Sequence, residues 1–252
     1  MKALVKAIKA AGGPEYKFFD VAPADGTSGG VPGGNIRNAF LYNPRVLVFK
    51  GYVSLTPDVL VAAGVTNPNA FFGTRNPLAA TFKHKGSGEE FTVINNHLTS
   101  RFGSTPVFGG PQPFIQAGEV EREAQMQALN EYVNFLIDLE ENDDEDDNGA
   151  RIIVLGDLNT MEFTNDLTEI LPGTGDEKVL TNLIDSLTDD NIYSFNFEGN
   201  SQVLDHLLVT DSLLPGAEFD IVHANVDFPR VDDTVGSDHD PLVVRLDFGD
   251  DD

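Results

Sequence analysis

Four short stretches gather the polar residues that could do chemistry. They are FTVINNHLTSR (Phe91–Arg101), IIVLGDLNTME (Ile152–Glu162), SQVLDHLLVT (Ser201–Thr210) and VGSDHDPLVVRL (Val235–Leu246). In three of them an apolar, strand-like run adjoins the polar group: Asn95, Asn96 and His97; Asp157 and Asn159; Ser237, Asp238 and His239. Oxygen and imidazole donors without thiolates suit hard cations such as magnesium, manganese or calcium. Two histidines with several carboxylates suit proton transfer at a phosphate ester. Taken singly, Asp157 after Gly156 reads as a turn residue, His97 as a hydrogen-bonded core histidine and Asp238 as a cap. Asp205 resists that treatment. A carboxylate between Leu204 and Leu207-Leu208 is costly to bury without a partner, and its natural partner is an imidazole.

The elements that must position these groups follow from pattern. Met1–Ala11 reads as an amphipathic helix stopped by Gly12-Gly13-Pro14. YKFFDV is a strand, and Ala24–Gly34 is a glycine-rich loop. NIRNAFLYNPRVLVF reads as a hairpin broken at Asn43-Pro44, and Leu78–His84 with Glu90–Asn96 as a second hairpin. Glu119–Leu139 is the clearest helix, with Val120, Ala124, Leu129, Val133, Leu136 and Ile137 along one side. The acidic run 140–149 lacks the spacing of a calcium-binding loop and reads as a solvated linker. Strands are expected at Arg151–Leu155, Gln202–Thr210, Glu218–Ala224 and Leu242–Asp247, and helices at Thr164–Leu171 and Lys178–Leu187. Strands outnumber helices and are joined mostly by turns. This favours an α+β sandwich with helices covering sheets over a doubly wound parallel sheet.

Bulk properties bound the function. The chain has 252 residues, enough for one large domain, which we place at 1–252. Asp plus Glu is 41 against 16 Lys plus Arg, a formal charge of −25. That surface repels nucleic acid and anionic membranes at long range. Arg37, Arg45, Arg75, Lys83, Lys85 and Arg101 are concentrated in the first half, as a groove lining or as scattered solvated cations. With no cysteine, disulfides and thiolate metal sites are excluded. No apolar run reaches the length of a membrane span, and no signal peptide is visible.

NNHLTSR, GDLNTME, LDHLLVT and GSDHDPLVV, in this order and with GGNIRNAFLY before them, resemble the endonuclease/exonuclease/phosphatase superfamily, and within it the large bacterial extracellular nucleases. The resemblance implies a four-layer α/β/β/α sandwich of two mostly antiparallel sheets with the site at one end. It implies a divalent cation (Mg2+, Mn2+ or Ca2+), a nucleic-acid substrate and an extracellular parent protein. His97 would contact the phosphate, and Asp157 would orient or deprotonate the attacking water. Asn159 would position water and phosphate. Asp238 would be a metal ligand alongside Asp157. His239 would act as base or phosphate stabiliser, with Asp205 holding its imidazole in one tautomer. Arg37, Asn96 and Arg101 would contact substrate. His206 would face the other way, as a structural residue.

The family pattern begins with a strand carrying an Asn and a second strand ending in a Glu, the principal metal ligand. Here the only acids ahead of the glycine-rich loop are Glu15 and Asp20, and neither follows a suitable strand. The expectation is an N-terminally truncated domain lacking the first strands, weakly active or inactive alone. Three readings remain open: a metal-dependent nuclease, a phosphoesterase for lipid or inositol phosphates, and a noncatalytic remnant of the fold.

Overall fold

The computed structural model describes residues 1–31, 34–143, 149–188, 192–228 and 236–249. In chain order the elements are α1 (Lys2–Ala10), β1 (Lys17–Asp20), β2 (Gly30–Val31), β3 (Gly34–Asn35), β4 (Ala39–Tyr42), β5 (Leu47–Ser54), α2 (Pro57–Ala62), β6 (Leu78–His84) and β7 (Glu90–His97). There follow α3 (Glu119–Asp143), β8 (Ile152–Asp157), β9 (Thr181–Asn182), β10 (Phe195–Phe197), β11 (Asn200–Gln202), β12 (Asp205–Val209), β13 (Glu218–Ile221) and β14 (Leu242–Arg245).

Six strands form the central sheet in the order β5-β6-β7-β8-β12-β9. β7 and β8 are parallel, joined by the crossover that contains α3; β12 is antiparallel to β8. Their near-continuous apolar runs are explained by burial on both faces. Side chains alternate, so Ile94, Ile152, Val154 and Leu208 enter one core with Leu60 of α2 and Met126, Leu129 and Val133 of α3. Val93, Ile153, Leu207 and Val209 enter the other. There they meet Phe19, Phe40 and Tyr42 of the β1–β4 pair and Phe219, Leu242 and Val244 of the β13–β14 pair. Helices thus cover one face of the main sheet and further strands the other, an α+β sandwich. Burying each such side chain contributes about 1.5–3 kcal/mol.

Local expectations fail in instructive places. Asn43-Pro44 does not close a laddered hairpin: β4 pairs with β1, while β5 pairs with β6. Lys178–Leu187 is not helical. Leu180, Leu183 and Ile184 are buried there, but Asn182 pairs with β12 and caps a single 3-10 turn at Leu183–Ser186. The expected strand Gln202–Thr210 is broken at Val203-Leu204. Val120 is exposed, and the inward face of α3 includes Arg122 and Gln125 instead. Glu140–Asp143 continue α3, and residues 144–148 of the acidic run lie outside the described residues. Among the described residues no helix is long and apolar enough to cross a membrane.

Candidate active site

Strand register makes the site. His97 of β7 is the register partner of Asp157 on β8, and Asp157 is the partner of Asp205 on β12. The three therefore stand in one row across adjacent strands, about 4.8 Å apart from strand to strand. They share the parity of Val93, Ile153 and Leu207, so they open toward the strand-covered side of the sheet, beyond its apolar part.

The turn after β8 explains the residues of GDLN. Gly156 has φ 129°, and a Cβ there would lie 2.0 Å from the Asn96 carbonyl oxygen. Only glycine lets β8 approach β7 so closely. Leu158 is fully buried and pins the turn, its N–H donating to the Leu204 carbonyl at 2.9 Å. Asn159 adopts φ 54°, which Asn tolerates better than most residues. Its N–H donates to Asp157 Oδ1 at 2.9 Å, and its Nδ2 to the Leu98 carbonyl at 3.3 Å.

His239 comes from the loop before β14. Its Nδ1 lies 2.6 Å from Asp205 Oδ2, so in the neutral ring the proton sits on Nδ1 and Nε2 is the basic nitrogen. The Phe195 ring packs against it with centroids 4.8 Å apart. Ser194, which no sequence pattern singled out, is fully buried beneath this pair. Its hydroxyl donates to Asp205 Oδ2 at 2.7 Å and accepts from the N–H groups of Leu204 and Asp205. Its carbonyl accepts from the Asp240 N–H at 2.8 Å. Asp240 is likewise buried: Oδ1 accepts three backbone N–H groups, from Ala224, Asn225 and Val226, and Oδ2 faces His223 Nδ1 at 2.9 Å. These bonds lock the His239 segment to the end of β13.

Electrostatics separate the members. Burial, the Arg75 guanidinium and His239 hold His97 at a pKa of about 4, so its ring is neutral at physiological pH. Burial and the neighbouring Asp205 carboxylate push Asp157 up to about 6, against the pull of His239, the Asn159 N–H and Arg75. His97 Nε2 and Asp157 Oδ2 are 3.5 Å apart. Among the described residues, ligand atoms of Asp157, Asp205 and His239 lie within 4.8 Å of one another. Two crowded carboxylates with an imidazole and no thiolate form a donor set that fits a hard divalent cation.

The row floors a cleft of about 710 Å³, whose walls include Arg101, Phe102, Phe195, Phe197 and Asp238. Burial and the nearby Arg122 lower Arg101 to about 10, leaving it cationic at neutral pH. Two expectations are corrected. Asn96 is buried, with Nδ2 donating to the Ile94 and Leu155 carbonyls, so it braces β7 against β8 instead of facing substrate. Arg37 lines a separate cavity of about 140 Å³ and pairs with Asp20 at 3.4 Å. Asp238 is exposed on the wall of the same cleft, and the tight cluster of ligand atoms below it consists of Asp157, Asp205 and His239. Glu15 pairs with Lys9, so neither early acid joins the cluster. His206 is fully buried, with Nε2–H donating to the Thr160 carbonyl at 3.0 Å and Nδ1 accepting from Asn182 Nδ2 at 3.2 Å.

A family model described as the endonuclease/exonuclease/phosphatase family matches residues 35–227. The chain belongs to this family. No curated protein sequence matches it. Solved structures share the fold of this endonuclease/exonuclease/phosphatase chain at low identity. A mannosyl-6-phosphatase of Bacteroides thetaiotaomicron superposes with TM-score 0.57 at 18% identity, covering 98% of this chain and 82% of that one. The human Nocturnin catalytic domain with bound sulfate gives 0.58 at 15%, covering 98% and 77%. Danio rerio (D. rerio) TDP2 complexed with single-strand DNA product gives 0.58 at 14%, covering 98% and 82%. Enzymes of this family are generally dependent on a divalent metal, and the Asp–Asp–His cluster of this chain suits one.

Proposed function

We propose that this chain is a metal-dependent phosphodiester hydrolase that acts on nucleic acid. The observation that carries the reading is the single register row His97–Asp157–Asp205 with His239 hydrogen-bonded to its end. Asp157 and Asp205 would hold the cation, which when bound offsets negative charge on the phosphate. Asp205 fixes the His239 tautomer so that Nε2 takes a proton from the attacking water, and the carboxylate then steadies the imidazolium. Neutral His97 hydrogen-bonds a phosphate oxygen, and Arg101 attracts the same group from the wall.

Cleavage of a labelled oligonucleotide and of a plasmid with Mg2+ or Mn2+ tests the proposal. His239→Ala and Asp205→Asn should each abolish turnover, and calorimetry should detect divalent binding that Asp157→Ala removes. Absence of any divalent binding at millimolar metal would instead favour a noncatalytic remnant. A second reading, a phosphoesterase for lipid or inositol phosphates, draws support from the charge of −25, which opposes long polyanions. Faster turnover of small phosphate esters than of plasmid would favour it.

A further inference from the structure

Phe102 is 95% exposed and Phe108 88% exposed, both on the loop between β7 and α3. An apolar ring left in water contributes little to folding, and exposed apolar groups beside a polar site mark recognition surfaces. The loop is held against the opposite wall, since the Phe108 N–H donates to Asn200 Oδ1 on the β10–β11 hairpin at 3.3 Å. From that hairpin Phe195 and Phe197 also line the cleft. They are two residues apart on β10 and so point to the same face. Phe195 is already engaged with the His239 ring. Phe102 and Phe197 are thus aromatic surfaces beside the catalytic row with no role in holding it.

The charges narrow what those rings receive. Among the described residues lining the cleft, Arg101 is the one Lys or Arg. A duplex recognised through its backbone needs many phosphate contacts, and its bases are already stacked and closed to side chains. Stacking on aromatic rings, by contrast, needs exposed base faces and little positive charge.

We infer that the cleft takes a single-stranded nucleic-acid segment, with unpaired bases stacked on Phe102 and Phe197 next to the reacting phosphate. This rests on the nucleic-acid reading above and names its substrate class.

Fluorescence anisotropy with short labelled DNA tests it without turnover. The probes are a single strand, an abasic sugar–phosphate chain of equal length and the corresponding duplex, each with Ca2+ present. The single strand should bind roughly tenfold tighter than either rival. Phe102→Ala or Phe197→Ala should weaken it roughly 5- to 100-fold and leave the abasic chain and the duplex unchanged. Equal affinity for the abasic chain, no effect of either variant, or binding confined to phospholipid vesicles would overturn the inference. Base-dependent binding with no cleavage of any phosphodiester would uphold it and defeat the hydrolase proposal. Cleavage with no preference for bases would do the opposite.

Discussion

His97, Asp157 and Asp205 ride on three hydrogen-bonded strands, whereas Arg101 and Phe102 ride on an irregular loop anchored at a few points. The floor of the cleft is held by ladder bonds, by a glycine that no other residue can replace and by the buried Ser194 and Asp240. The wall is held by the buried Gln125 and Arg122 of α3. Gln125 Nε2 donates to Thr99 Oγ1 at 2.8 Å, and Arg122 Nη1 donates to the Ala117 carbonyl at 2.8 Å. Floor residues are placed to within the tolerance of a sheet, which chemistry requires. Wall residues sit on irregular backbone, the kind of segment that commonly carries the contacts by which substrates are selected. The lesson is that substitutions should sort by region, with rate changes from the floor and affinity changes from the wall.

Breaking the floor should give the largest effects. Asp157→Ala should lower turnover by about 10³-fold with little change in substrate affinity, measured by single-turnover cleavage. Were KM to change instead of kcat, Asp157 would belong with the wall. Gly156→Ala drives a methyl into the Asn96 carbonyl and should cost more than about 3 kcal/mol, read by urea unfolding.

The His206 beneath the floor makes stability pH-dependent. Burial lowers its pKa from 6.5 to about 4. Between those values the unfolded chain binds a proton that the folded chain does not. Its contribution is therefore whole above pH 6.5 and lost as the pH falls toward 4, by roughly 3 kcal/mol. His206→Gln should flatten that slope in a pH series of denaturant titrations. Ser194→Ala removes one bond to Asp205 and leaves buried N–H groups unpaired, so it should cost about 1–3 kcal/mol and slow turnover more than it raises KM. At the wall, Phe102→Ala should change stability by less than about 0.5 kcal/mol in the same assay, because its ring is in water. A larger loss would mean that the ring packs on the loop and is no free surface.

Legibility in the sequence divides along the same line. The floor announces itself because a strand that delivers Asp157 must be apolar before it, and the approach to β7 forces Gly156 next to it. Asp205 is conspicuous because a carboxylate among leucines needs a partner, and His239 supplies one. Ser194 carries no comparable signal: a serine in a turn-rich stretch looks the same whether it is solvated or buried under a dyad. Asn96 is ambiguous in sequence because an amide at a strand end reads as readily toward substrate as toward two neighbouring carbonyls. The place of Arg37 depends on long-range pairing that local sequence does not carry, its partner Asp20 lying in a strand paired across a loop. The Asn43-Pro44 turn is a turn, but which sheet each flanking strand joins is decided by packing far away in sequence. Glycine, proline and phenylalanine between Thr99 and Gln116 mark a loop without saying which rings face the cleft.

The parallel pairing of β7 with β8 has a consequence for assembly. Parallel neighbours cannot meet through a tight turn, so the whole crossover, α3 included, must be laid down before His97 finds Asp157. During synthesis β5, β6 and β7 emerge as consecutive antiparallel partners, and the reactive row is completed only when the loop before β14 brings His239 across to Asp205. A nascent chain therefore has most of its hydrophobic interior before it has any means of cutting a phosphate ester.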